Sequence, residues 1–345
     1  GDITPAWEDH KRSDGVVERK MTSIKYQDDE YKVGERFILS MCSKFGMGTS
    51  IFCLFDPAEI FDRIQKVHPR HRLRVVTENN TLLGKRCLAA TAPSKSFVDY
   101  DTLLGIVTKP SRLGKIRNAR YHEGSVVTVH VMDEAPWEIS GDLFYQAFTL
   151  DTPIDGYGLP SIYLSLIRAS NETLLTAESK TFRSEVQLGK GSDKPEIPLT
   201  RALDTFNNEE GFQSLRQRLE SARNSFASLH ECDSLLKVFR RVLDQSQTET
   251  VKGIFSSFHT MTGDVSKKYG IATEDSLSPK KARLLPMDCT VLDLVFFSME
   301  VHTKYHNFIK NRHPLTQWTG QLLDNEYDLE GSVTEDEEEE VNEDS

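Results

Sequence analysis

The residues best able to do chemistry in this chain are the carboxylates of Asp99-Tyr100-Asp101, the imidazoles of His302 and His306 beside Glu300, and a dense run of cations. Paired carboxylates can hold a divalent ion or exchange protons. No second acidic motif accompanies this pair, so a turn, or local balance for the surrounding cations, accounts for it better. Histidines four apart share a helix face and could ligate a metal. The spacing is not H-E-x-x-H and no third ligand stands out, which favours surface or capping histidines. Gly46-x-Gly48-Thr49-Ser50 lacks the lysine of a phosphate loop, and Gly189-Lys190-Gly191-Ser192 lacks the strand and spacer that would frame one. No G-x-S-x-G is present. The expectation is a non-enzymatic protein with no metal and no cofactor.

The cations carry more information. Between Lys66 and Arg120 stand twelve Lys and Arg against only Glu78, Asp99 and Asp101. One reading is a solvated face whose charges pair with acids elsewhere. The other is a phosphate-binding groove, because polyanion affinity comes mainly from Lys and Arg that neutralise phosphates and release counterions. On the second reading Arg72, Arg74, Lys85, Arg86, Lys95, Lys109, Arg112, Lys115, Arg117 and Arg120 contact phosphates. Phe97, Tyr100 and Tyr121 lie among them and could stack on bases, although such rings are more often core.

Charge is also concentrated at the other end. The whole chain has a formal charge of -11, but Asp324 to Ser345 holds twelve acids and no Lys or Arg. The remaining body has 42 basic and 41 acidic residues and is nearly neutral. Like-charge blocks repel themselves, stay solvated and serve as interaction tails. Residues 324–345 are therefore expected to be a disordered acidic tail that screens the basic groove and recruits a protein partner.

These residues need elements to position them. Residues 1–30 are polar with little periodicity and read as an arm. Asp56-Pro57 marks a helix start with proline at the first helical position. Arg72 to Thr77 and Thr81 to Arg86 read as two strands around the turn Glu78-Asn79-Asn80. Ser125–Met132, Asp142–Leu150 and Ser161–Arg168 are further strands, the last two separated by the turn Asp155-Gly156-Tyr157-Gly158. Alternation at Arg72 and Arg74, and at His130 between Val129 and Val131, predicts a sheet with one basic face and one core face.

Past Lys190 the composition becomes a linker. Asn207 and Glu210 have capping-box spacing, and Phe212, Leu215, Leu219, Ala222, Phe226 and Leu229 form a stripe along one long helix over 208–245. Asp275 to Pro286 is a polar loop, and a last helix spans about Cys289 to Lys310. The expected fold class is α+β: a region 31–190 containing an antiparallel sheet, a mainly helical region 191–323 packed on it, then the tail. A homo-oligomer is compatible with this, with the 208–245 helix as the assembly surface.

A 38 % hydrophobic content suffices for a core. The apolar stretch Phe37 to Phe55 is broken by Lys44, Gly46 and Gly48 and cannot span a bilayer. No signal-peptide pattern opens the sequence, and the five cysteines form no C-x-x-C pair. A reducing cytoplasm is the expected location, that of the host cell if the protein is viral.

The segments Arg74-Val75-Val76-Thr77 to Leu83-Gly84, Ser94-Lys95-Ser96-Phe97-Val98-Asp99-Tyr100-Asp101, Leu164-Ser165-Leu166-Ile167-Arg168-Ala169-Ser170-Asn171 and Thr290-Val291-Leu292-Asp293-Leu294 resemble an uncharacterised phage- and plasmid-related family, domain of unknown function 932. The likeness covers roughly residues 70–310. Phe97 stands where that family has Tyr, and Phe296-Phe297 replaces an Asn-Ala pair. The resemblance implies a viral or mobile-element protein made alongside replication and recombination genes, and it carries over no activity.

Together these features predict a phage-type single-stranded DNA-binding protein acting in replication, recombination or annealing. The alternative is a non-enzymatic viral protein that binds a host or viral protein, its acidic tail mimicking nucleic acid. An enzyme acting through Asp99, Asp101, His302 or His306 is the weakest reading.

Overall fold

The computed structural model describes residues 3–11, 15, 17–48, 50–51, 55, 57–67, 69–70, 72–81, 84–108, 114–122, 124–132, 135–189, 194–206, 208–243, 286–304 and 313–324. The fold is α+β, with antiparallel pairing dominating its sheets.

The first sheet has five strands in the order β1-β2-β3-β5-β4. They are β1 Ile3–Lys11, β2 Val17–Tyr26, β3 Asp29–Val33, β4 Arg74–Asn80 and β5 Gly84–Thr91. Helix α1, Glu35–Phe45, turns Phe37, Met41 and Cys42 inward, and Phe37 and Met41 pack on Ile24, Cys87 and Ala90 of the sheet. Ser40 on the same face accepts the Ala90 N–H at 2.8 Å and so ties helix to strand. Helix α2, Pro57–Val67, follows, with proline at its first position as expected.

The second sheet runs β11-β10-β9-β7-β6, with β8 added to β9 and β12 to β10. Its strands are β6 Lys115–His122, β7 Ser125–Val131, β8 Trp137–Ile139, β9 Asp142–Pro153, β10 Ser161–Arg168, β11 Leu174–Thr176 and β12 Arg183–Glu185. Period-2 alternation sends Phe144, Phe148, Leu150, Ile162, Leu164 and Leu166 to one face. Helices α3 Tyr100–Val107 and α4 Glu196–Asp204 pack with Phe148, Leu150 and Ile162. Phe144, Leu164 and Leu166 join the largest core with α5 Glu209–Asn224, α6 Leu229–Val242, α7 Val291–Lys304 and α8 His313–Asp324. Phe144, Phe212 and Phe239 are fully buried there, each contributing about 2 kcal/mol. The other face buries Val129, Ala147 and Ile167 together with hydroxyls, where Thr149 lies 2.8 Å from Ser165 and 3.2 Å from Thr176. A short pair, β13 Phe226–Ser228 with β14 Pro286–Thr290, completes the described strands.

Several expectations change. Residues 1–30, read as an arm, contain β1 and β2, whose partner is each other and β3 rather than an apolar periodicity of their own. Glu78-Asn79-Asn80, read as a turn, lies within β4, and the reversal comes later, where Asn80 faces Gly84 at φ 75°. His130, expected on a basic exposed face, is 4 % exposed and packs against Phe148.

The single helix over 208–245 is two. Asn208 caps α5 by accepting the Gly211 N–H at 3.0 Å, while Asn207 lies outside the described residues. Ser225 becomes extended, Phe226 joins β13 at 50 % exposure, and Ser228 with Glu231 forms a capping box that starts α6. Phe212, Leu215, Leu219 and Ala222 are consumed by the chain's own core, so the stripe is not an assembly surface. Helix α8 was not anticipated. The 275–286 loop, except Pro286, and the tail beyond Asp324 lie outside the described residues.

Candidate nucleic-acid interface at the seam of the two sheets

β4 is an outer strand of the first sheet, and β6 is an outer strand of the second. Their side chains meet. Tyr121 of β6 donates its hydroxyl to the Glu78 carboxylate of β4, and its oxygen accepts the Gly124 N–H at 3.1 Å. Glu78 also pairs with Arg86 of β5 at 3.3 Å. Glu78 thus joins Tyr121 of the second sheet to Arg86 of the first.

A second contact closes the seam at the turn between β9 and β10. Asp155 is fully buried and accepts the Tyr157 N–H at 2.9 Å. Arg36, reaching from α1, grips the same carboxylate with two nitrogens, Nη2 at 3.2 Å, and lies 5.3 Å from the Tyr157 ring centroid. Such a bidentate pair fixes orientation as well as charge. Lys95 donates to the Tyr157 carbonyl at 2.7 Å. Arg74 stacks over Phe97 at 4.2 Å and donates to the carbonyls of Lys95 at 2.7 Å and Pro93 at 3.4 Å. Gly156 has φ 75°, and a Cβ there would stand 3.1 Å from both Arg74 Nη2 and Phe97 Cβ, so glycine permits the approach.

Beside these residues lies a polar cleft of about 390 Å³, lined by Arg74, Pro93, Ser94, Lys95, Ser96, Phe97, Asp99, Thr102, Pro195 and Glu196. Burial lowers the Arg74 guanidinium from its usual value. Burial is also the main cause of a lowered Lys95 ammonium, with Arg74 and Arg36 pushing the same way and Asp155 opposing them. Both charged forms are therefore held at a local disadvantage that a bound anion would relieve.

The expected contact residues divide. Arg72, Lys115, Arg117 and Arg120 are exposed. Arg117 pairs with Glu172, and both side chains are more than half exposed. Arg74, Lys95 and Phe97 gather at the cleft. Lys85 is joined to Asp29, whose hydrogen bond raises the ammonium and lowers the carboxyl, and Arg86 is held by Glu78. Both pairs tie β5 to its neighbours in the first sheet. Phe97 is covered on one face by Arg74, and Tyr121 is tied to Glu78, which leaves Tyr100, 55 % exposed at the start of α3, as the best-placed stacking ring. Lys109 and Arg112 lie outside the described residues.

Asp99 is the N-cap of α3, accepting the Thr102 N–H at 2.8 Å, and Asp101 is exposed in its first turn. The pair is a helix start. His302 is buried on α7 while Glu300 turns to Arg168 at 3.3 Å, and His306 lies outside the described residues. Among the described residues no group of three or more His, Cys, Asp and Glu could hold a metal ion.

Arg36, Asp155 and Tyr157 were missed as seam residues. The sequence marks Asp155-Gly156-Tyr157-Gly158 as a turn, but nothing in it pairs Asp155 with an arginine 119 positions away. Comparison with known proteins finds no matching family model, no matching curated protein and no matching solved structure. Among the described residues no helix is long and apolar enough to cross a membrane.

Proposed function

We propose that the protein binds single-stranded nucleic acid without catalysing a reaction on it, as a phage-type factor in replication, recombination or annealing. The observation that carries the reading is the seam, where Arg74 and Lys95 line a polar cleft next to an exposed Tyr100, with exposed Arg72 just before β4 and exposed Lys115, Arg117 and Arg120 along β6 as further cations. Phosphates lie along the β6 edge, and a base stacks on Tyr100. Arg117 exchanges Glu172 for phosphate at little cost, since an exposed ion pair contributes under about 1 kcal/mol. The acidic tail competes for the same cations and recruits a protein partner.

Anisotropy titrations with a labelled single strand, on the full chain and on Lys115→Ala/Arg117→Ala/Arg120→Ala, test the β6 track. The triple variant should bind more weakly at every salt concentration, with the slope of log K against log salt reduced by about 2. Equal slopes would remove β6 from the interface.

The second reading, a protein that binds a host or viral protein with the tail as nucleic-acid mimic, is favoured by the internal pairing of Lys85 and Arg86. It requires the titration to show no affinity for nucleic acid at low salt.

A further inference from the structure

We infer that the cleft beside Arg74 and Lys95 is a seat for one phosphate monoester. This deepens the nucleic-acid reading and rests on it only for the source of the phosphate. Among the described residues neither Arg74 nor Lys95 takes part in an ion pair; their hydrogen bonds go to the neutral carbonyls of Pro93, Lys95 and Tyr157. Both are only partly exposed, and the Arg74 Nε is buried with no hydrogen-bond partner. The nearby Asp155 favours the Lys95 charge but makes an ion pair with neither cation, its carboxylate being held in two places by Arg36. Partly desolvated cations with no direct ion-pair partner are unfavourable, and an anion between them offsets that cost.

The walls fit the same ligand. Ser94, Ser96 and Thr102 bring hydroxyls to the cleft, which can donate to phosphate oxygens. Two acids also line it: Asp99, which keeps its charge while capping Thr102 through one oxygen, and Glu196, the first residue of α4, and both repel an anion on their side of the cleft. A phosphodiester carries a single negative charge, whereas a monoester carries nearly two at neutral pH and can engage Arg74 and Lys95 together. A volume of about 390 Å³ falls in the range of small-molecule sites and has room for the nucleoside attached to such a phosphate. The 5′-phosphate end of a strand and a free nucleotide share this chemistry.

Titration of the full chain with inorganic phosphate, with a nucleoside 5′-monophosphate and with one oligonucleotide in 5′-phosphorylated and 5′-hydroxyl forms tests the assignment. The monophosphate should bind, and Lys95→Met, which keeps the aliphatic stem, should weaken it about tenfold, the order for one charge-assisted hydrogen bond. Arg74→Gln should act in the same direction. Tighter binding of the phosphorylated oligonucleotide identifies a strand end as the source, while monophosphate binding with no such preference identifies a free nucleotide. Folded wild-type protein that binds neither phosphate nor monophosphate, or that binds them as well with Lys95→Met, overturns the assignment. Oligonucleotide binding with none of these effects would sink the cleft and leave the β6 track standing; monophosphate binding without oligonucleotide binding would do the reverse.

Discussion

His130 is the single residue whose surroundings most directly set a pH response. Its ring stacks on Phe148 with centroids 4.6 Å apart and planes 4° from parallel, and one nitrogen lies 2.8 Å from the Thr128 hydroxyl. The other nitrogen, Nδ1, is buried with no hydrogen-bond partner. Burial pushes the imidazole down to about 4. An unfolded histidine titrates near 6.5, so between those values the unfolded chain holds a proton that the folded chain does not. Stability is therefore full above about 6.5 and falls as pH drops toward 4, by up to about 3 kcal/mol from this residue. His130→Phe should flatten that part of the profile. Urea midpoints measured across the window for both proteins check it, and parallel profiles would mean that the folded state accepts the proton. The sequence revealed the strand around Val129-His130-Val131 but not this burial, because alternation gives two faces without saying which one a second layer covers.

At the scale of elements, one carboxylate docks the last described helix. Glu178 is 8 % exposed and receives His313 Nδ1 at 2.8 Å, the Thr316 hydroxyl at 2.6 Å and Gln317 at 3.4 Å, while its own N–H donates to the Thr316 carbonyl at 3.3 Å. On the far side of the imidazole, His313 Nε2 lies 3.5 Å from Asp151. Glu178→Ala would strand these donors and destabilise the protein by about 3 kcal/mol. Hydrogen exchange should then rise first in α8, ahead of α5 and α6; uniform exchange across the three helices would show that packing of Leu315, Trp318 and Leu322 alone holds α8. None of this was readable beforehand, since Glu178 and His313 are 135 positions apart. The break between α5 and α6 was readable. Ser228 and Glu231 have the S-x-x-E spacing of a helix start, and the heptad-like stripe through Phe226 and Leu229 masked it.

For the whole molecule, local patterns gave the fold class, the strands β7, β9 and β10 and the turn between the last two. Long-range pairing gave the rest. A cluster of cations between Lys66 and Arg120 announces a surface charge, yet only the three-dimensional arrangement sorts those held by Asp29 and Glu78 from those turned toward the seam or solvent. The tail adds a global term, since twelve acids on one segment can compete with phosphate wherever they reach those cations. The central claim is that the seam takes single-stranded nucleic acid and that the tail competes for it. Its most direct measurement is the anisotropy of labelled single-stranded and duplex oligonucleotides across a salt series, with the full chain and with a chain ending at Asp324. The account expects the shortened chain to bind the single strand more tightly, to favour it over duplex and to lose affinity steeply with salt. No binding by either chain at low salt would contradict it.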